Sequence, residues 1–356
     1  MTAVQLLQLL ANVSFLLVFV AVLTRAIRRP SRERIDVALF FGAPAISITL
    51  SWVTPALGIR DPTPSLISGA LILAMPLLTL RAIQGFTDLP RLVVPAAALA
   101  YAVAALALIA APSPMPQPLL LLIVLYFTVF EGYAGFAVLR ATRRAHGVTH
   151  RRLQLIGVAT LLLTLTILAA GLTVVLPIAG QLALPLALSL AHLSGLTYLL
   201  GFAPPGPLRR AWQAPEVLAF VRQTGRLVGE AGAELVHTAL ARDLATATGE
   251  PEAGLGIWQP EREVLRFWRT RGEPIDRRLD ESLATQAFVE QRAILAIEDS
   301  AGPRRLPTEY RRLRPRYVLV APVTVGTRRF GVVAVLVGKR VTFFEDDLAL
   351  LQLLAD

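Results

Sequence analysis

The chain has 356 residues, is 54% hydrophobic and carries a formal charge of +10. It contains no cysteine, which excludes disulfides, thiolate nucleophiles, Cys-based zinc or iron–sulfur centres and thioether-linked bilins. Its single lysine, Lys339, lies outside every apolar run, which excludes a retinal Schiff base.

The charge is unevenly spread. Residues 1–204 hold thirteen arginines against five acidic residues, mostly in short loops between long apolar runs, whereas residues 205–356 mix charged and apolar residues as a soluble domain does. The basic excess therefore reads as a topology signal facing anionic lipid, and no nucleic-acid partner is expected.

About 20 apolar residues are needed to cross a hydrocarbon core. Seven stretches are long enough: Val4 to Thr24, Ile35 to Thr54, Leu66 to Ile83, Leu92 to Ala111, Leu119 to Leu139, Leu153 to Val175 and Leu182 to Phe202. The first has no basic residue ahead of it and no small-residue cleavage site after it, so it is expected to persist as a span rather than act as a signal peptide. Arginines cluster after the first, third and fifth spans, and Arg60 alone lies on the other side. The positive-inside rule then places the N-terminus outside and the C-terminal region in the cytoplasm, on the inner (cytoplasmic) membrane. The outer loops are short and Pro-rich, too small for an extracellular ligand domain, so any outside signal must be small, lipidic or mechanical. Pro44, Pro76 and Pro95 within spans are expected to kink them.

Polar groups inside spans are costly and face a bundle interior. Glu131 sits nine residues before Arg140, roughly 13 Å along a helix, near mid-span. Asn12 and His192 fall at similar depth. Either Asn12, Glu131 and His192, with Thr128 and Ser189 nearby, line one cavity that binds a ligand or senses protons, or they are interhelical hydrogen-bonding glue. The pairs Ser47/Ser51 and Thr160/Thr164 have the spacing to bond back to their own helix or across a tight contact.

Beyond Phe202, Pro204, Pro205 and Pro207 are expected to end the last span, Arg209 and Arg210 to mark the lipid surface, and Trp212 to sit at the interface. Apolar residues recur at helical spacing from Glu216 to Thr246, a helix that either pairs with a second copy or covers the next domain. The expected organisation is a seven-helix domain at 1–204, a juxtamembrane linker and signalling helix at 205–228, and a domain at 229–356.

From Gly254 the period changes to two. Strands are expected at Gly254 to Gln259 and Val264 to Thr270, a helix at Asp280 to Gln291 and a short strand at Ile294 to Ile297. A helical turn at Glu309 to Leu313 is expected next. A hairpin of Tyr317 to Val325 and Phe330 to Val337 follows, turning at Gly326 to Arg329. Thr342 to Glu345 has capping-box spacing and opens a final helix presenting Leu348, Leu351 and Leu354.

This order of elements resembles a GAF domain. The resemblance is carried by Tyr-Val-Leu-Val-Ala-Pro-Val (317–323), Phe-Gly-Val-Val-Ala-Val (330–335), Phe344 and Asp346-Asp347, and spans roughly Gly229 to Asp356. It implies an antiparallel sheet with helices on one or both faces, binding a small molecule or acting as a dimerisation and relay module. The expected fold is therefore a membrane all-α seven-helix bundle followed by a cytoplasmic α/β (α+β) GAF-like domain with an antiparallel sheet.

Trp258, Phe267, Trp268, Phe288 and Tyr310 either line the GAF pocket or form its core. Among the basic run 304–316, Arg312 and Arg314 are the candidates to meet an anionic ligand; otherwise the run is a solvated or membrane-facing surface. His237 reads as surface or packing rather than a haem ligand. No catalytic residue, metal site or cofactor is expected.

Seven spans, a helical junction and a GAF domain together resemble the input half of bacterial membrane histidine kinases. That likeness implies a sensory and regulatory module of a two-component system, dimeric, in contact with lipid, and passing its signal to a kinase or other output domain or protein. No phospho-acceptor His helix or nucleotide lid is found before Asp356, which the resemblance places inside the last GAF helix. A diguanylate cyclase output is one alternative. A membrane transporter or intramembrane enzyme with a GAF regulatory domain is another, and a scaffold that only dimerises partners is a third.

Overall fold

The computed structural model describes residues 2–28, 32–111, 115–143, 145, 147–175, 180–227, 233–248, 250, 252–279, 282–297, 306, 315–326, 328–338 and 344–355. It divides into two compact units. The first comprises Met1–Arg144 with His150–Pro205, and the second Ala145–Thr149 with Gly206–Asp356.

In the first unit the apolar runs become α1 (Ala3–Arg28), α2 (Arg32–Ala56), α3 (Thr63–Leu73), α4 (Met75–Ile83), α5 (Val93–Ala110), α6 (Gln117–Thr142), α7 (Gly147–Val175) and α8 (Gly180–Phe202). Among the described residues, with α3 and α4 taken together, seven helices are long and apolar enough to cross a membrane. Many apolar side chains point outward, among them Leu99, Leu106, Ile109 and Phe136, as they would toward lipid rather than water.

The three span prolines behave differently. Pro76 follows a break at Ala74 that divides the third run into α3 and α4. α2 continues through Pro44. Pro95 lies in the first turn of α5, where a missing N–H costs no helical bond, so it does not kink the span as expected.

α1 packs against α2 and α8, α2 against α3 and α4, and α4 against α5 and α6. Phe41 is fully buried edge-on to Tyr198 at 5.1 Å and Phe202 at 5.4 Å. α6 and α7 approach closely through glycine: a Cβ on Gly157 would fall 2.7 Å from the Leu139 side chain, and one on Gly135 2.9 Å from Leu161. Thr160 and Thr164 bond back to Ile156 and Thr160 carbonyls. Ser47 also reaches Ser68 of α3 at 3.3 Å.

The last carbonyls of any helix lack intrahelical donors. At the end of α8 arginines supply them. Arg152 donates through Nε to the Gly201 carbonyl at 2.8 Å and through Nη2 to that of Phe202 at 2.7 Å, and Arg25 donates to Phe202 as well. Arg152 is itself buried. Arg152→Ala is expected to cost about 1.5–3 kcal/mol, as for hydrogen bonds to a charged group. It should appear as a lower denaturant midpoint for the helical unit in detergent; an unchanged midpoint would show that water satisfies these carbonyls equally well.

The second unit contains α9 (Gly206–Leu227), α10 (Ala233–Thr248), β1 (Glu252–Gln259), β2 (Val264–Arg269), β3 (Ile275–Arg278), α11 (Leu283–Glu290), β4 (Ile294–Ile297), β5 (Tyr317–Val325), β6 (Arg328–Val337) and α12 (Phe344–Ala355). The strands form one antiparallel sheet in the order β3-β2-β1-β6-β5-β4. Alternation sends neighbouring side chains to opposite faces. One face, with Leu265, Phe267, Val318, Val320 and Val332, is covered by α11 through Leu283, Ala287 and Phe288. The other, with Leu319, Val333, Val335 and Val337, meets Leu244 of α10 and Leu351 of α12.

Several expectations are corrected here. The helix expected over Glu216 to Thr246 is two helices, and α10 covers the sheet rather than continuing α9. Pro207 lies in the first turn of α9 instead of ending the previous helix. Trp212 is buried rather than placed at a surface, and Arg209 approaches Asp346 of α12 at 3.6 Å. β3 was not expected at all. α11 starts later than Asp280, capped by Ser282, whose Oγ accepts from Thr285 N–H. The turn expected at Glu309 to Leu313 and the cap at Thr342 lie outside the described residues.

Asp243 of α10 is buried with Oδ2 unpartnered. Burial pushes its carboxyl above the ordinary value of 3.8, and Arg242 pulls the other way. The folded state thus holds this proton more tightly than the unfolded chain, so stability falls as pH rises through the window above 3.8. Asp243→Asn is expected to raise the melting temperature at neutral pH, with the gain vanishing as pH drops toward 3.8. A lower melting temperature at neutral pH would mean that the carboxylate is charged and paired.

Candidate functional site

The three polar span residues fall into two separate contacts. His192 of α8 places Nδ1 2.9 Å from Ser14 Oγ of α1, and that hydroxyl also donates to Leu10 O at 2.8 Å. A hydroxyl has one hydrogen. With it on Leu10, His192 must donate from Nδ1. Asn12 sits two residues before Ser14 on α1, half-buried and on a different side of the helix.

Glu131 is fully buried on α6 and faces Thr79 of α4, Oε1 lying 2.9 Å from Thr79 Oγ1. Among the described residues no hydrogen bond joins Asn12, Glu131 and His192. Thr128 and Ser189 bond to Val124 and Pro185 carbonyls of their own helices. Sequence reasoning missed Ser14 and Thr79, and also Tyr126 and Tyr198, whose hydroxyls donate to Leu73 O at 3.1 Å and Thr160 Oγ1 at 3.0 Å. A hydroxyl within one turn of a span proline, as Thr79 is of Pro76, was the available signal.

In the second unit Trp258, Phe267 and Phe288 come together on the α11 face. The Trp258 and Phe288 rings lie 5.1 Å apart, and Phe267 and Phe288 are buried while Trp258 is half-buried. Phe267 lies directly over its cross-strand partner Gly256, where a Cβ would come within 2.6 Å of the ring. Trp268 is not part of this group. It faces α10, its ring 4.3 Å from that of His237, with Arg266 5.7 Å from its centre and bonded to Glu234 at 3.2 Å. Burial lowers the His237 pKa, and Glu234 opposes the shift. Arg312, Arg314 and Tyr310 lie outside the described residues. Among the described residues no group of His, Asp or Glu could hold a metal.

An antiparallel six-stranded sheet, helices on both faces and a hairpin closing into α12 occupy the same stretch as a family match: residues 249–356 match the family model described as GAF domain. This segment is a GAF domain. Solved structures similar to the chain include the A. aeolicus nlh2 GAF domain in an inactive state, at 15% identity over 40% of this chain and 93% of that one, TM-score 0.34. Free methionine-R-sulfoxide reductase from Neisseria meningitidis in complex with its substrate aligns at 17% identity over 40% of this chain and 85% of that one, TM-score 0.32. The GAF domain of a phosphoenolpyruvate-protein phosphotransferase from Coxiella burnetii aligns at 15% identity over 40% and 89%, TM-score 0.34. No curated protein matches the chain.

Proposed function

We propose that the chain is the sensory and regulatory module of a two-component signal-transduction system. In this reading a seven-helix bundle in the inner membrane passes its signal through the GAF domain to a histidine kinase or other output, on a further domain or a separate protein. The observation that carries it is the pairing of seven candidate spans with a GAF domain in one chain. Arginines clustered between alternate spans support a C-terminal domain in the cytoplasm. The module acts as a homodimer, and half-buried Trp258, helped by Arg312 and Arg314, is where the GAF domain would take a small anionic ligand.

The test is phosphotransfer. The native protein is purified from source membranes under mild conditions, weighed intact and incubated with radiolabelled ATP. Acid-labile histidine phosphate on the chain's own polypeptide or a stoichiometric partner is expected. Its absence from every co-purifying species would overturn the kinase output. Orientation is read separately: the chain has no cysteine, so Ile59→Cys should react with an impermeant maleimide from outside the cell and Gln84→Cys should not.

A second reading, a transporter with a GAF regulatory domain, is favoured by one feature: a fully buried carboxyl beside a proline-interrupted helix. Solute flux into vesicles that depends on Glu131 would establish it in place of the sensor.

A further inference from the structure

The helix of the third span is interrupted for one residue at Ala74, where the backbone stays right-handed and Ala74 N–H still reaches Ala70 O at 3.0 Å, and Pro76 supplies no N–H to the turn before it. α6 holds both sides of this break. Tyr126 Oη donates to the Leu73 carbonyl at 3.1 Å, just before it, and Glu131 meets Thr79 at 2.9 Å, just after it.

The hydrogens at the second contact can be counted. Thr79 Oγ1 lies 3.0 Å from the Met75 carbonyl and 2.9 Å from Glu131 Oε1, and it owns one hydrogen. Helical threonines elsewhere in the chain, Thr49, Thr128 and Thr160, give theirs to the carbonyl four residues back. If Thr79 does the same, Glu131 must bring the second hydrogen itself and donate it to Thr79 Oγ1. Burial argues the same way. Glu131 has no exposed surface, and Oε2 has no partner. An ionised carboxylate in that position would have at most the one hydrogen of Thr79 to meet its charge among apolar helices, whereas the neutral acid needs one acceptor and has it.

We propose that Glu131 is a proton-binding site that latches α6 to the α4 side of the broken third span, closed while its carboxyl is protonated and released when the proton leaves. Among the titratable and charged groups on the surrounding helices are Tyr126, Tyr133 and Arg140 on α6, Tyr101 on α5, Tyr198 and His192 on α8, and Arg81 on α4, bonded to Asp36 of α2 at 2.8 Å. Among the described residues Glu131 has no ion-pair partner. Losing the proton therefore leaves a buried charge that can draw on the single Thr79 hydrogen at Oε1 and on nothing at Oε2, and hydrating that charge requires water to enter between α6 and α4 and part them. This rests on the sensor reading only for the use made of the movement, since the proton and the latch are properties of the helical unit alone.

The test uses the full chain in lipid vesicles with no output partner present, so its failure leaves the phosphotransfer result standing, and the reverse. Infrared spectra are recorded as pH is raised, together with the distance between spin labels at Gln84→Cys and Phe136→Cys. A protonated-carboxyl stretch is expected at neutral pH, absent from Glu131→Gln and moved to higher frequency in Thr79→Val. Its loss at alkaline pH should coincide with separation of the labels, while Glu131→Gln, whose amide still donates to Thr79, should stay closed throughout. A neutral-pH carboxyl band that Glu131→Gln does not reduce overturns the proton site. Labels that keep their distance while the band disappears overturn the latch.

Discussion

Gly331→Ala is expected to dismantle the centre of the C-terminal sheet. Gly331 lies in β6 between its partners Ile257 of β1 and Val323 of β5, beside a shift in the β5–β6 register. A Cβ there would lie 2.0 Å from the Gly256 carbonyl oxygen. That oxygen belongs to the backbone, and no rotamer change can move it. Overpacking a core typically costs about 1–3 kcal/mol when side chains can yield; here a strand must shift, so the loss is expected at or above the top of that range. Hydrogen exchange on the full chain would show it as lost protection through β1, β5 and β6 with the helical unit unchanged. Wild-type protection in Gly331→Ala would mean that the two strands are not in this register.

Phe288→Ala carries the second large effect. The ring is buried between α11 and the sheet, 5.1 Å from Trp258, and its truncation is expected to cost about 3–5 kcal/mol. The number decides between the two readings of these aromatics. A core ring costs stability whatever ligand is present. A pocket ring on a domain that tolerates the space would lose ligand-dependent stabilisation and little else. With Phe288 nine-tenths buried or more and Phe267 lying over Gly256, the core outcome is expected for both, leaving half-buried Trp258 as the residue with surface to offer.

Hydropathy and alternation made much of this architecture legible. All seven runs are helical, the third as α3 and α4, with ends within six residues of those expected, because a run of apolar side chains needs no knowledge of its neighbours to be recognised. The β5–β6 hairpin was legible for the same local reason. β3 was not: Ile-Asp-Arg-Arg carries no alternating apolar pattern, and it is a strand because β2 lies beside it. Glu131 and His192 were legible as polar residues in apolar surroundings. Their partners were not, since Thr79 is 52 positions from Glu131 and Ser14 is 178 from His192. Periodicity tells which side of a helix is buried, and packing alone decides what stands opposite.

That same short strand bears on how a second molecule can approach. β3 is the outer strand on one side of the sheet, four residues long, and three of them are Asp276, Arg277 and Arg278. A brief, charged border of this kind resists continuation by a strand from another chain. The sheet is closed to extension at that border, and any molecule that approaches it there meets charged side chains before it meets unpaired backbone.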